Sequence, residues 1–195
     1  MKKFLLTSAI IFSLGANANA GDEKWPYWYV GLNAGGVVAS GADYKAASKG
    51  NLDPDNAFAY SATIGYAPSN LRLEAEFGAS DQDIGQGTAT GSVRTYKGMV
   101  NAIFDTDTSF GAPYIGGGIG IVKADISPTN TPSISGSDSK MGYQALAGFN
   151  LGEVAPNVLA NVGYRYVGTF NDFKINGTKI NYDAHQVEAG LKFRF

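Results

Sequence analysis

Eight charged side chains recur at even spacings within segments that alternate apolar with polar residues: Arg72, Glu74, Glu76, Lys97, Arg165, Glu188, Lys192 and Arg194. Residues two apart in an extended chain share one face, so the chemistry open to these eight is mutual ion pairing on a common polar face. If the connection 81–92 closes its flanking segments symmetrically, Glu76 falls opposite Lys97, and the last long connection likewise brings Arg165 near Glu188. Catalytic groups are sparse. His185 is the only histidine, and the chain has no cysteine, which excludes disulfides, thiolate metal sites and a lipidated cysteine. A Ser-His arrangement needs a nucleophile beside the base, and strand spacing places only Asp183 near His185. With no phosphate loop, metal-ligand spacing or haem motif, the expectation is a protein without enzymatic activity, cofactor or bound metal.

The elements that must position these charges are strands. Apolar residues recur on one parity and Gly, Asn, Gln and charges on the other. The clearest case sets Leu71, Leu73, Ala75 and Phe77 against Arg72, Glu74, Glu76 and Gly78. Equivalent segments begin near Tyr27, Phe58, Tyr96, Tyr114, Met141, Ala160 and Gln186, making eight in all. In the fifth, Ile115, Ile119 and Ile121 form the apolar face, and Gly116, Gly118 and Gly120 point the other way. The connections 67–70, 105–112 and 152–157 are short, whereas 39–56, 81–92, 124–139 and 168–183 are long and polar. Ahead of the strands, Lys2 and Lys3, the apolar run 4–14 and Ala18-Asn19-Ala20 read as a cleavable secretory leader, 1–20, leaving 21–195 as one domain.

Composition restricts the partners. The chain carries 15 Lys+Arg and 17 Asp+Glu, and the leader removes two of the lysines, so the mature part is mildly acidic and nucleic acid is not expected. Twenty-six glycines and an aromatic share of 12% suit many strands with close backbone approach and aromatic anchoring. Alternation fits either a soluble barrel with apolar residues inside or a membrane barrel with them outside. Three features favour the membrane. The segments are long enough for a tilted strand to cross hydrocarbon. Aromatics stand at both ends of the apolar faces, as in Phe58 and Tyr66, Tyr96 and Phe104, and Tyr143 and Phe149. Eight such residues rise about 26 Å, close to the apolar band's height after tilt. Finally, a cation on the lipid face costs roughly 2–4 kcal/mol at the midplane, which assigns the eight charges to the lumen.

The segments Tyr29-Val30-Gly31-Leu32-Asn33-Ala34-Gly35, Pro113-Tyr114-Ile115-Gly116-Gly117-Gly118-Ile119-Gly120 and Gly163-Tyr164-Arg165-Tyr166 carry a resemblance that spans the mature chain. It resembles the small outer-membrane β-barrel and opacity-like surface-antigen families, related in architecture to the OmpA transmembrane domain and OmpX. The resemblance implies an all-β, eight-stranded antiparallel up-and-down transmembrane barrel in the bacterial outer membrane, with loops extracellular and termini periplasmic. The ending resembles the signal read by the barrel-assembly machinery, through Glu188, Gly190, Phe193 and Phe195. Unlike for full-length OmpA, no periplasmic domain is expected after Phe195.

Function is expected in four extracellular loops, as adhesin, surface antigen or structural component of the membrane, with a host-surface ligand as the partner. The alternative is a narrow, low-conductance, porin-like channel, disfavoured because side chains fill an eight-stranded lumen. Two cations break the inside rule. Arg94 shares parity with Tyr96, and Lys123 with Ile121, so both are expected outside at the loop end of adjacent strands. There they would meet lipopolysaccharide headgroup phosphates.

Overall fold

The computed structural model describes residues 25–41, 55–86, 89–106, 112–128, 136–175 and 178–195, and the expected leader at 1–20 lies outside them. The alternating segments form the strands β1 (Tyr27–Gly41), β2 (Asp55–Ala67), β3 (Leu71–Gln86), β4 (Ala89–Asp105), β5 (Ala112–Pro128), β6 (Gly136–Ala155) and β7 (Val158–Thr169). They are followed by β8 (Phe173–Ile175), β9 (Thr178–Ile180) and β10 (Asp183–Arg194). Eight close into one antiparallel barrel in the order β1-β10-β7-β6-β5-β4-β3-β2. The short pair β8 and β9 forms its own hairpin between β7 and β10.

Which face is inside follows from parity, and the barrel is inverted relative to a soluble one. Arg72 and Arg165 are each 2% exposed, while Val100 and Ile115 are 65% and 66% exposed. A chain that buries guanidinium groups and presents Val and Ile outward is at its free-energy minimum only in an apolar solvent, where closure pairs every strand edge. The outward aromatics cluster at the two ends of this band, with Trp28 against Tyr66 at 4.8 Å and Tyr143 against Phe170 at 5.0 Å.

Several connections differ from the sequence reading. β3 and β4 pair as far as Gln86 with Ala89, so most of 81–92 is strand rather than loop. β5 runs to Pro128 and β6 begins at Gly136, shortening the third long connection, and the fourth contains the β8–β9 hairpin. Beyond the apolar band both faces meet water, so the ladder continues without the alternation that marks a strand in sequence. Of the first long connection, 42–54 lies outside the described residues. At the opposite end β6 turns into β7 through Asn157, at φ 63°, whose amide donates to Glu153 at 2.7 Å. Asn tolerates this left-handed conformation better than most residues. The end carrying the turns after Ala67, Asp105 and Ala155 is the turn end below, and the other is the loop end.

Val100 sits midway along the outward face between Tyr96 and Phe104. Val100→Arg is expected to destabilise the barrel by about 2–4 kcal/mol in denaturant unfolding from phospholipid vesicles, as for an arginine at the bilayer midplane. A change within about 0.5 kcal/mol, usual for a water-exposed surface site, would contradict the membrane placement of this face.

Candidate functional site

The lumen is filled by two balanced ion clusters. Nearer the turn end, Arg72 on β3 donates to Asp105 on β4 through Nε at 2.5 Å and Nη2 at 3.0 Å, and to Glu74 at 3.0 Å. The Tyr29 hydroxyl of β1 also donates to Glu74. The Tyr114 ring lies 5.3 Å from the Arg72 guanidinium and 5.5 Å from Lys192 Nζ, which donates to Asn150 at 2.7 Å. Asn150 donates in turn to Asp105 at 2.8 Å. At the turn-end opening, Arg194 pairs with Glu153 at 2.7 Å and lies over Tyr27.

The second cluster is centred on Glu76. Its carboxylate accepts from Arg165 Nη1 at 2.7 and 2.8 Å, from Asn101 at 2.9 Å and from Gln144 at 2.9 Å, and pairs with Lys97 at 3.0 Å. Arg165 turns its other edge to Glu188, with Nε at 3.1 Å and Nη2 at 2.8 Å from the two carboxylate oxygens. In the ring of eight strands, β3 and β7 are four places apart in either direction. The Arg165–Glu76 contact therefore spans the bore between diametrically opposite walls. A cavity of about 20 Å³ separates the two clusters, room for about one water.

Close approach of these side chains depends on inward glycines. A Cβ at Gly118 would stand 2.0 Å from Asn101 Oδ1, and one at Gly65 would stand 2.3 Å from the Tyr29 ring. Larger residues at either place would displace a member of a cluster.

The eight expected lumen charges all point inward, and the structure adds Asp105 and Glu153, giving five cations and five carboxylates. One expectation on register is corrected. Glu76 stands opposite Met99 and Lys97 opposite Gly78, because the Gln86–Ala89 closure shifts the pairing by two residues from a symmetric loop. The long lysine side chain spans that diagonal and the ion pair still forms. Arg165 stands opposite Gln186 and likewise reaches Glu188 diagonally.

Outside the barrel, Arg94 and Lys123 lie exposed on adjacent strands, with Lys123 opposite Tyr96 and Arg94 opposite Asp125. The sequence reading saw two cations, but each has a carboxylate. Arg94 pairs with Asp81, and Lys123 pairs with Asp125 at 3.2 Å, so the quartet is formally neutral. His185 shares a hydrogen bond through Nδ1 with the Tyr164 hydroxyl, and its Nε2 is 3.8 Å from Asp183. Among the described residues no group of three or more His, Cys, Asp and Glu is arranged to hold a metal ion.

Over residues 4–195 the sequence matches the family described as the outer membrane protein beta-barrel domain. The chain belongs to that family. An outer membrane protein of Gluconacetobacter diazotrophicus is 30% identical over 179 residues, covering 72% of this chain and 47% of that protein. The chain thus spans about half the length of this curated relative. Neisserial surface protein A superposes with a TM-score of 0.58 at 21% identity, covering 86% of this chain and 97% of that one. Ail, the attachment invasion locus protein of Yersinia pestis, solved with the heparin analogue sucrose octasulfate, gives 0.51 at 16% identity, covering 86% and 99%. These likenesses show a shared closed barrel, and family membership supports a place in the bacterial outer membrane.

Sequence reasoning missed Asp105 and Glu153 because both sit at strand ends, where they read as turn residues. Parity was the available signal for Asp105, which shares the inward set of Asn101 and Ile103. Removing one partner of a buried, hydrogen-bonded pair strands the others. Arg165→Met, which leaves Glu76 and Glu188 without their shared cation, is expected to destabilise the family's barrel here by about 3–5 kcal/mol. Arg94→Gln, at an exposed pair, should leave the urea midpoint unchanged. Equal shifts for the two variants would show that the lumen network contributes no more than a surface pair.

Proposed function

We propose that this barrel is displayed with its loop end outside the cell and its termini in the periplasm, acting by contact through its connections as an adhesin or surface antigen. The observation that carries this reading is the Arg165–Glu76 contact across the bore. With opposite walls tied together by a buried, multiply hydrogen-bonded pair, the interior serves neither as an open conduit nor as a substrate pocket, and the connections are the surface left for recognition. The same argument supports a non-enzymatic role and disfavours the porin-like channel. Ail carries a heparin analogue in its structure. In this chain the connections mix charge, with Asp43, Lys45, Lys49 and Asp53 in the first and Asp172, Lys174 and Lys179 in the fourth, and with Asp55 and Asp183 at the strand ends beside them. A host-surface ligand recognised by a mixed-charge surface suits them better than a uniformly sulfated chain.

Assembly belongs to the same proposal: Glu188, Gly190, Phe193 and Phe195 present the signal to the barrel-assembly machinery. Phe195 is 75% exposed and pairs through its backbone with Trp28 at the closing seam. Folded yield after deletion of Phe195 measures its part.

Gram-negative cells displaying the protein are expected to adhere to host-cell monolayers, and to lose adhesion when 42–54 and 129–135 are replaced by short Gly-Ser linkers in a barrel that still folds. Unchanged adhesion would leave the structural role. In planar bilayers the purified protein should give no steady conductance, and large, long-lived steps in every preparation would favour the channel.

Arg94 and Lys123 are proposed to bind a lipopolysaccharide headgroup phosphate, which would compete with Asp81 for the arginine fork. The Arg94→Ala, Lys123→Ala double variant should co-purify with less lipopolysaccharide than the parent. An equal amount would show that the two cations serve only their carboxylates.

A further inference from the structure

Above the Glu76 cluster, towards the loop end, the lumen changes character. An apolar cluster lines the wall there, made of Val37, Met99, Val122, Ala124, Val167 and Ala184, with Ser80, Thr95 and Thr169 buried beside it. An apolar collar at a water-facing opening is unfavourable unless something covers it. Two rings from the connection between β7 and β10 do so. Phe173 is 1% exposed and Tyr182 7%, and both pack into this collar, edge to face at 6.1 Å. Neither belongs to a barrel strand, so their burial comes from the connection folding into the mouth.

The hairpin is tethered from one side. The Lys174 amide donates to Asp138 Oδ2 at 2.7 Å, the Phe170 amide to the Met141 carbonyl at 3.0 Å, and the Thr169 amide to the Tyr182 carbonyl at 3.3 Å. Lys140, 2.8 Å away, and then the Lys174 amide hold the Asp138 carboxyl below the usual carboxylate range. Immediately beneath the rings a cavity of about 10 Å³ is lined by Ser80, Thr95, Lys97, Val122, Tyr182 and Gln186. Lys97, a member of the Glu76 cluster, thus borders the same cavity as the apolar residues Val122 and Val167.

We propose that the described residues 170–175 and 178–182 form a stopper hinged on β6 and β7, which seats Phe173 and Tyr182 in the apolar collar and seals the lumen ion network from water on the loop side. The lumen is then closed twice in series, by apolar packing and by the Arg165–Glu76 pair. Opening one closure leaves the other intact. The stopper also keeps the Glu76 cluster in a water-poor environment, where its charge-assisted hydrogen bonds are stronger.

The chain has no cysteine, so a single introduced thiol reports access without interference. Thr95→Cys lies 4% exposed beneath the rings. With a charged, membrane-impermeant methanethiosulfonate added to proteoliposomes, Thr95→Cys should label slowly in the parent and at least tenfold faster with Phe173→Ser and Tyr182→Ser present. Heat-dependent gel mobility verifies that each variant is folded. If the double change prevents folding, Asp138→Ala, which cuts only the tether, should also speed labelling. Conductance should stay silent in the stopper variants and rise only when Arg165→Met is added. Labelling equally fast in parent and folded variants, or steady conductance from the stopper variants alone, would overturn the proposal.

Discussion

In hydrocarbon an unpaired peptide group has no water to turn to, and the seam between β1 and β10 is where this chain meets that demand. Antiparallel pairing runs from Tyr29 with Arg194 to Gly41 with Asp183, and the Phe195 backbone extends it to Trp28. Closure at eight strands sets the diameter, and the diameter sets everything inside. In so narrow a bore a guanidinium group on one wall reaches a carboxylate on the opposite wall. That is why Glu76 gathers Lys97 from the adjacent strand, Gln144 from three strands away and Arg165 from the far side.

Such a network specifies more than it stabilises. Desolvating two charges offsets most of their attraction, so replacing a complete pair by apolar residues need not weaken a fold, whereas removing one member does. The two clusters therefore act chiefly by penalising alternatives. A two-residue slip of β3 against β4 would carry Glu76 away from Arg165 and Arg72 away from Asp105 together. A one-residue slip of β3 would turn Arg72, Glu74 and Glu76 towards lipid. The inward glycines are part of the same constraint, since Asn101 occupies the space that a side chain at position 118 would need.

How much of this was legible in the sequence divides along physical lines. Parity was legible because lipid and lumen demand opposite polarity at every step: spacing put Arg72, Glu74, Glu76 and Arg165 on the polar faces of their strands, and strand length, aromatic placement and the cost of charge in lipid turned those faces inward. Register was not, because it depends on where a hairpin closes. Nothing in the polar stretch 81–92 marks Gln86 and Ala89 as its last pair, and the Glu76–Lys97 contact survived that error only because lysine is long. The collar and stopper were illegible for another reason. Val122 and Val167 break the polar-inside rule, and Phe173 and Tyr182 lie in a segment whose composition reads as loop. Only the folded chain shows that these exceptions fit one another. Asp105 was hidden similarly, as a strand-end residue whose partner Arg72 enters from a neighbouring strand.

The barrel's two ends consequently tolerate change very differently. An inward substitution near Glu76 disturbs several hydrogen bonds at once, and an outward charge meets lipid, so both faces of the strands are fixed by the solvent they see. Lengthening a connection raises its closure entropy by only about 0.6 kcal/mol per doubling. Sequence variation beyond the last strand pairs thus leaves the closed core nearly untouched. A scaffold of this kind separates the requirements of folding from those of recognition. The connection between β7 and β10 is the exception, because Phe173 and Tyr182 tie it to the lumen. If the two rings seal the bore as proposed, its variation is limited to residues outside them and their tether at Asp138, and among the described residues a change in recognition there also acts on closure of the bore.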